Sequence, residues 1–160
     1  MRHPRLFIHD DLVSLGVPMY HVALVRDEGV PKVAQSISVS EPSDAARVCE
    51  DLRYKPQEHF CVLCLSTKNL LLARVPISIG TLNTTIVSPR EVYKAALAAN
   101  ACSIVVVHNH PSGDPASSVA DKRLAKHLAD AGSILDIELL DFIIIGDAES
   151  VVSLREDGVL

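Results

Sequence analysis

The sequence predicts an α/β fold in which a mixed β-sheet is sandwiched by helices. Three observations carry this. Apolar runs of strand length alternate with segments of helical period along most of the chain. The first two strand-like runs are joined by a short turn, which makes them antiparallel neighbours and argues against a purely parallel sheet. The most hydrophobic run, CSIVVVH at 102–108, is flanked by helical segments and reads as the central strand. The chain's 160 residues suit one core of ordinary size. Residues 1–19 are expected to form an N-terminal arm and residues 20–160 a single domain.

The elements follow in order. YHVALVRDEG (20–29) and KVAQSISV (32–39) read as the strands of a hairpin turning at Asp27, Glu28 and Gly29. Pro42, Ser43 and Asp44 open a helix on which Ala46, Cys49 and Leu52 share a face. EHFCVLCLS (58–66) is a buried strand, and Thr67, Lys68 and Asn69 form the turn after it. LLLARVPISIG (70–80) is the next strand, where Pro76 marks an edge or a bulge. SPRE (88–91) starts a helix: Ser88 caps, Pro89 takes the first turn, Glu91 closes a capping box, and the helix stops near Asn100. A helix from Val119 to Ala131, with Gly132 as its C-terminal cap, follows the central strand. ILDIELLDFIIIG (134–146) and ESVVSL (149–154) supply the last strands.

Composition narrows the function. A hydrophobic content of 48% against 22% charged residues describes a folded domain. No apolar run approaches the ~20 residues needed to cross a bilayer. MRHPRLFIHDD lacks the build of a signal peptide, so a cytoplasmic location is expected, without membrane attachment. The net charge of −5 and the absence of Trp disfavour nucleic acid as the main ligand, although LRYK (52–55) and DKRLAK (121–126) are local basic runs. Cys61 and Cys64 sit three apart on a strand and face opposite sides, so CVLC cannot hold one ion; free thiols are expected.

The chemistry concentrates in VVVHNHPSGDPASSVAD (105–121). His108 and His110 are two apart on extended chain, so they face one side with alpha carbons ~6.6 Å apart. Both imidazoles can therefore reach one ion. Asn109 points away from it. Asp121 falls in the first turn of the next helix and can return over the strand end. Two His and one carboxylate leave a fourth tetrahedral position for water, the mark of a catalytic zinc site. The competing reading is structural: Ser118 and Asp121 match S-x-x-[DE], a plain capping box. The letters HNH do not make an HNH nuclease, whose residues are dispersed over a ββα unit. A metal-activated water also needs a base, and the residues alone leave Glu41, Glu50, Glu58 and Glu91 open.

His108, His110, Pro111, Ser118 and Asp121 together spell H-x-H-P-x6-S-x2-D, the JAMM motif, and the chain resembles the JAB1/MPN superfamily. HNHPSGDP, with GTLNTTIVSPREVYKAALAANA upstream and LLDFIIIGD downstream, resembles the RadC branch in particular. The resemblance covers most of the chain, from Tyr20 to Glu156. It implies an MPN/JAB, cytidine-deaminase-like architecture and one Zn2+ per chain held by His108, His110 and Asp121. It implies that Glu58 is the general acid/base and that Ser118 donates to the oxyanion. The implied reaction is zinc-dependent hydrolysis of a peptide or an isopeptide-linked protein. Two positions depart from the RadC pattern: Phe142 stands where His is usual, and Ser117 where Pro is common. RadC proteins also carry a helix-hairpin-helix-like region, for which 160 residues leave no room, so a stand-alone form is expected. The rival reading from another class is a DNA-repair or DNA-processing accessory protein. A third is an MPN scaffold, against which the intact ligand set argues. Edge strands would suit a homodimer.

Overall fold

The computed structural model describes residues 37–80 and 87–160. The expected arm at 1–19, the strand at 20–29 and most of its hairpin partner lie outside these residues. At the end of that partner, Ser38 forms an isolated antiparallel bridge with Leu70.

The described chain begins with helix α1 (Pro42–Val48) and a 3-10 turn at Glu50–Leu52. Strands β1 (His59–Leu65) and β2 (Leu71–Ile79) follow, then helix α2 (Pro89–Ala98) and strand β3 (Ser103–Asn109). Helix α3 (Val119–Leu135) leads to β4 (Glu138–Ile145) and β5 (Val151–Ser153). The sheet order is β2-β1-β3-β4-β5. β3 is central and parallel to β4, while every other pairing is antiparallel, so the sheet is mixed. Pro76 lies on β2, an edge strand among the described residues, beside a register shift opposite Phe60 and Cys61. Its missing N–H therefore costs no central ladder bond.

Strand alternation divides the interior into two cores. Phe60, Val62, Cys64, Ile104, Val106, Phe142 and Ile144 pack with Val92, Tyr93 and Ala96 of α2 and with Ala125 and Leu128 of α3. Cys61, Leu63, Leu65, Val105, Val107, Ile143 and Ile145 pack on the other face with Ala45 and Ala46 of α1 and with Cys49 and Leu52. The sheet is thus covered by helices on both faces, as expected. Cys61 and Cys64 fall in different cores, and all four cysteines are free. Burial raises the Cys64 thiol to about 11.

Two helix ends differ from the sequence reading. α3 does not stop at Gly132 but runs to Leu135, with Asp136 in the left-handed cap conformation at φ 54°. Gly132 serves close packing instead. A Cβ there would stand 2.3 Å from Tyr93 Oη and 2.5 Å from the Ile137 carbonyl oxygen. The Tyr93 hydroxyl needs that space to donate to the Leu128 carbonyl at 2.9 Å. At α2, Ser88 has the extended backbone of an N-cap, but its side chain makes no cap bond, and Glu91 pairs with Lys94. The backbone conformation of the cap is set there without its hydrogen bond.

Candidate metal centre

The site forms where β3 runs out beyond the sheet. His108, near the strand's end, is fully buried. Its ring stacks on Phe60 at a centroid distance of 6.0 Å and meets Phe142 edge-on at 5.3 Å. Burial lowers its pKa to about 4, so the imidazole is neutral near pH 7, the protonation state of a metal ligand. Its Nδ1 is buried without a hydrogen-bond partner among the described residues, so packing between two aromatic rings orients it.

His110 is oriented differently. Its Nδ1 lies 2.8 Å from the Asp114 carbonyl oxygen. That oxygen can only accept, so Nδ1 carries the proton and Nε2 presents a lone pair. The loop holding Asp114 is pinned in turn: the Asp147 N–H donates to the Gly113 carbonyl at 2.8 Å, and the Gly113 N–H donates to the His110 carbonyl at 3.0 Å.

Asp121 comes from the first turn of α3 and is buried. The capping box read from the sequence is formed. The Asp121 N–H donates to Ser118 Oγ at 3.1 Å, while Oδ2 of Asp121 accepts from the Ser118 amide at 2.7 Å and from its hydroxyl at 2.6 Å. This turns Oδ1 toward His108. The carboxylate is thus both part of the helix cap and member of the cluster, and the capping role does not remove Asp121 from the group that could hold a metal.

The donor atoms fit one ion. His108 Nε2 and His110 Nε2 are 3.0 Å apart. Asp121 Oδ1 lies 3.5 Å from His108 Nε2, and its Oδ2 lies 3.7 Å from His110 Nε2. Ligands at ~2.0–2.1 Å from a tetrahedral zinc are separated by ~3.3 Å, so the imidazole–imidazole separation is of that size, and one ligand atom from each of the three residues lies within 4.8 Å of the others. Among the described residues, this is the one group of His, Cys, Asp and Glu side chains that could hold a metal.

Glu58 enters through strand register. Phe60 pairs with His108, and their rings stack on the same face. The β1–β3 pairing ends at Phe60 and His108, and Glu58 lies two residues before Phe60, next to the end of the strand pair that carries His108. The Gly80 N–H donates to the Glu58 carbonyl at 2.8 Å. Of the other open candidates, Glu50 pairs with Arg53 and Glu91 with Lys94. Glu41 is the N-cap of α1, on the opposite face of the sheet from His108.

The sequence profile of the RadC-like JAB domain matches residues 39–159. The chain belongs to that family. A UPF0758 protein of Caldanaerobacter subterraneus subsp. tengcongensis is 50% identical over 125 residues, covering 78% of this chain and 53% of the relative. A UPF0758 protein of Geobacillus sp. (strain WCH70) is 51% identical over 121 residues, covering 75% and 53%. One of Bacillus cereus (strain AH187) is 51% identical over 122 residues, covering 76% and 54%. The chain therefore spans about half the length of these relatives. In this RadC-like JAB domain, Phe142 forms part of the His108 aromatic enclosure. Ser117 is half-buried, one residue before the cap.

Sequence reasoning missed two features of the RadC-like JAB domain's site. One is the Asp114 carbonyl that fixes the His110 tautomer. The other is Asn109, which is buried and bonded to the Lys55–His59 segment. Among the basic runs, Arg53 of LRYK is spent internally: its side chain is 5% exposed and donates to the Gly146, Asp147 and Ser150 carbonyls. Lys122, Arg123 and Lys126 of α3 are exposed. No described helix is long and apolar enough to cross a membrane.

Proposed function

We propose that this chain is a zinc-dependent metallohydrolase that cleaves peptide or isopeptide bonds. The observation that supports this best is the convergence of His108, His110 and Asp121, each of which offers a ligand atom within 4.8 Å of the other two. The three are a buried neutral imidazole, an imidazole with its tautomer fixed, and a carboxylate held by a helix cap. When bound, zinc acidifies a water to a usable nucleophile and polarises the carbonyl under attack.

The chain's own residues complete the reaction. Glu58, the residue directly before β1, accepts the water's proton and returns it to the leaving amine. Ser118 has one hydroxyl proton, directed at Asp121 Oδ2. To serve the oxyanion, that proton turns away from the carboxylate, which keeps the Ser118 amide at 2.7 Å as its remaining donor. A net charge of −5 and the internal use of Arg53 weigh against a site built on phosphate contacts.

Elemental analysis of the wild type, His108→Ala and Asp121→Ala, purified without chelator, tests the reading. About one zinc per chain in the wild type is expected, lost in both folded variants. A wild type that takes up no zinc on reconstitution, or variants that keep it, would overturn the proposal.

A further inference from the structure

We infer that Asn109, the residue between the two histidines, is a positioning residue that fixes Glu58 against the metal cluster; this rests on the role proposed for Glu58. Asn109 is the last residue of β3 and is 1% exposed. Its Oδ1 accepts from the His59 N–H at 2.7 Å. Its Nδ2 donates to the Gln57 carbonyl at 3.1 Å and to the Lys55 carbonyl at 3.4 Å. His59 and Gln57 are the residues on either side of Glu58, so one amide grips the backbone on both sides of it.

The sheet itself does not provide this grip. The described β1–β3 pairing runs from Leu65 and Ser103 to Phe60 and His108 and ends there. Beyond it the chain carrying Glu58 leaves the ladder. Asn109 extends the pairing with a side chain, replacing the missing backbone bonds by an acceptor and a donor in one rigid group. The neighbouring residues on its own strand are His108 and His110. Displacing Lys55–His59 from Asn109 would therefore change the distance from Glu58 to the cluster without touching any ligand atom. The Gly80 N–H on the Glu58 carbonyl is a further backbone restraint at that point. It acts along the opposite edge of β1 and does not tie the segment to β3.

The residue types suit this task. Asp at 109 would keep the acceptor for His59 but set a second oxygen against two carbonyls. Ala would leave the part-buried His59 N–H and the Gln57 and Lys55 carbonyls to find other partners.

The test uses the full chain reconstituted with zinc, as wild type, Asn109→Ala, Asn109→Asp, Glu58→Gln and the double variant Asn109→Ala/Glu58→Gln. Three quantities are read: zinc per chain, hydrogen exchange of the His59 amide, and kcat and KM for 4-nitrophenyl acetate as a probe of acyl transfer. In both Asn109 variants zinc should stay near one per chain and His59 exchange should accelerate. kcat should fall by about 10- to 100-fold, with KM changed by less than about three-fold. Adding Asn109→Ala to Glu58→Gln should produce no further fall, because the two act through one group.

The inference is overturned by unchanged kcat in the folded Asn109 variants, by loss of zinc from them, or by full additivity with Glu58→Gln. Failure of both variants to fold would also overturn it, assigning Asn109 to folding alone. If Glu58→Gln itself matches the wild type, the acid/base role of Glu58 fails and the positioning role falls with it. That result is distinguishable from a failure confined to the Asn109 variants.

Discussion

A Cβ on Gly146 would stand 2.4 Å from the carbonyl oxygen of Gly113. The same atom would lie 2.4 Å from Ser150 Oγ and 2.8 Å from Pro115 Cδ. Gly146 is thus the floor on which the loop after His110 rests. Gly146→Ala should lift that loop, move the Asp114 carbonyl away from His110 Nδ1, and loosen one metal ligand. The expected result is a zinc affinity lowered by about 10-fold or more, read by competition with a chromogenic chelator. Unchanged affinity would mean that the loop accommodates the methyl group without disturbing His110.

Gly132→Ala tests packing away from the site. The added methyl would collide with Tyr93 Oη and the Ile137 carbonyl, so a loss of about 1–3 kcal/mol is expected from urea unfolding. Tyr93→Phe in the same chain should recover part of the loss, because it removes the nearer atom while the carbonyl at 2.5 Å remains. A full loss persisting in the double variant would place the strain at Ile137.

Arg53→Met should destabilise the chain by about 2 kcal/mol, because a guanidinium shared among three carbonyls is replaced by a side chain with no donor. Arg53→Lys should fall between the two, since an ammonium cannot reproduce the planar fork. Equal stability of Met and wild type would show that water satisfies those carbonyls as well as the guanidinium does.

Metal-free protein should lose stability as pH falls from about 6.5 toward 4. Burial holds the folded pKa of His108 below its ordinary value, so the unfolded chain binds more protons in that window. Stability is then fully present above pH 6.5 and declines as pH falls through the window to the folded pKa. The urea midpoint at several pH values measures this, and His108→Asn should flatten the dependence between pH 6.5 and 5. A midpoint that rises on acidification would contradict the sign.

Glu58→Gln separates binding from turnover. Zinc content should stay near one per chain, while turnover falls by about 100-fold or more, since an amide cannot accept the proton. Loss of the metal in this variant would make Glu58 part of the ion's environment and would remove the distinction.

Much of the site was legible because its signals are local. The β3 run, the i, i+2 histidines and the Ser118–Asp121 box all lie within one short stretch, and each is in place. The alternation that separates Cys61 from Cys64 was equally local. What escaped depends on contacts distant in sequence. Gly132 carried the signature of a helix cap, but Tyr93 approaches it from another helix, and no local pattern shows that approach. Asn109 looked idle because its partners lie 50 to 54 residues away. Glu58 could not be chosen among the glutamates from residues alone, because its place depends on the register of β1 against β3.

All three prospective ligands fall between positions 108 and 121, inside one strand–loop–helix unit, whereas Glu58 arrives on a strand that must pair across the intervening β2 and α2. Closing the small unit costs little chain entropy, while the long-range pairing comes later and more slowly. The contacts that orient those ligands are nevertheless long-range, since Phe60 of β1 and Phe142 of β4 enclose His108 and Asp147 pins the loop that fixes His110. On the proposed roles, ligand geometry and base therefore fall into place together, and an incompletely folded molecule is harmless to neighbouring polypeptides until the sheet is complete.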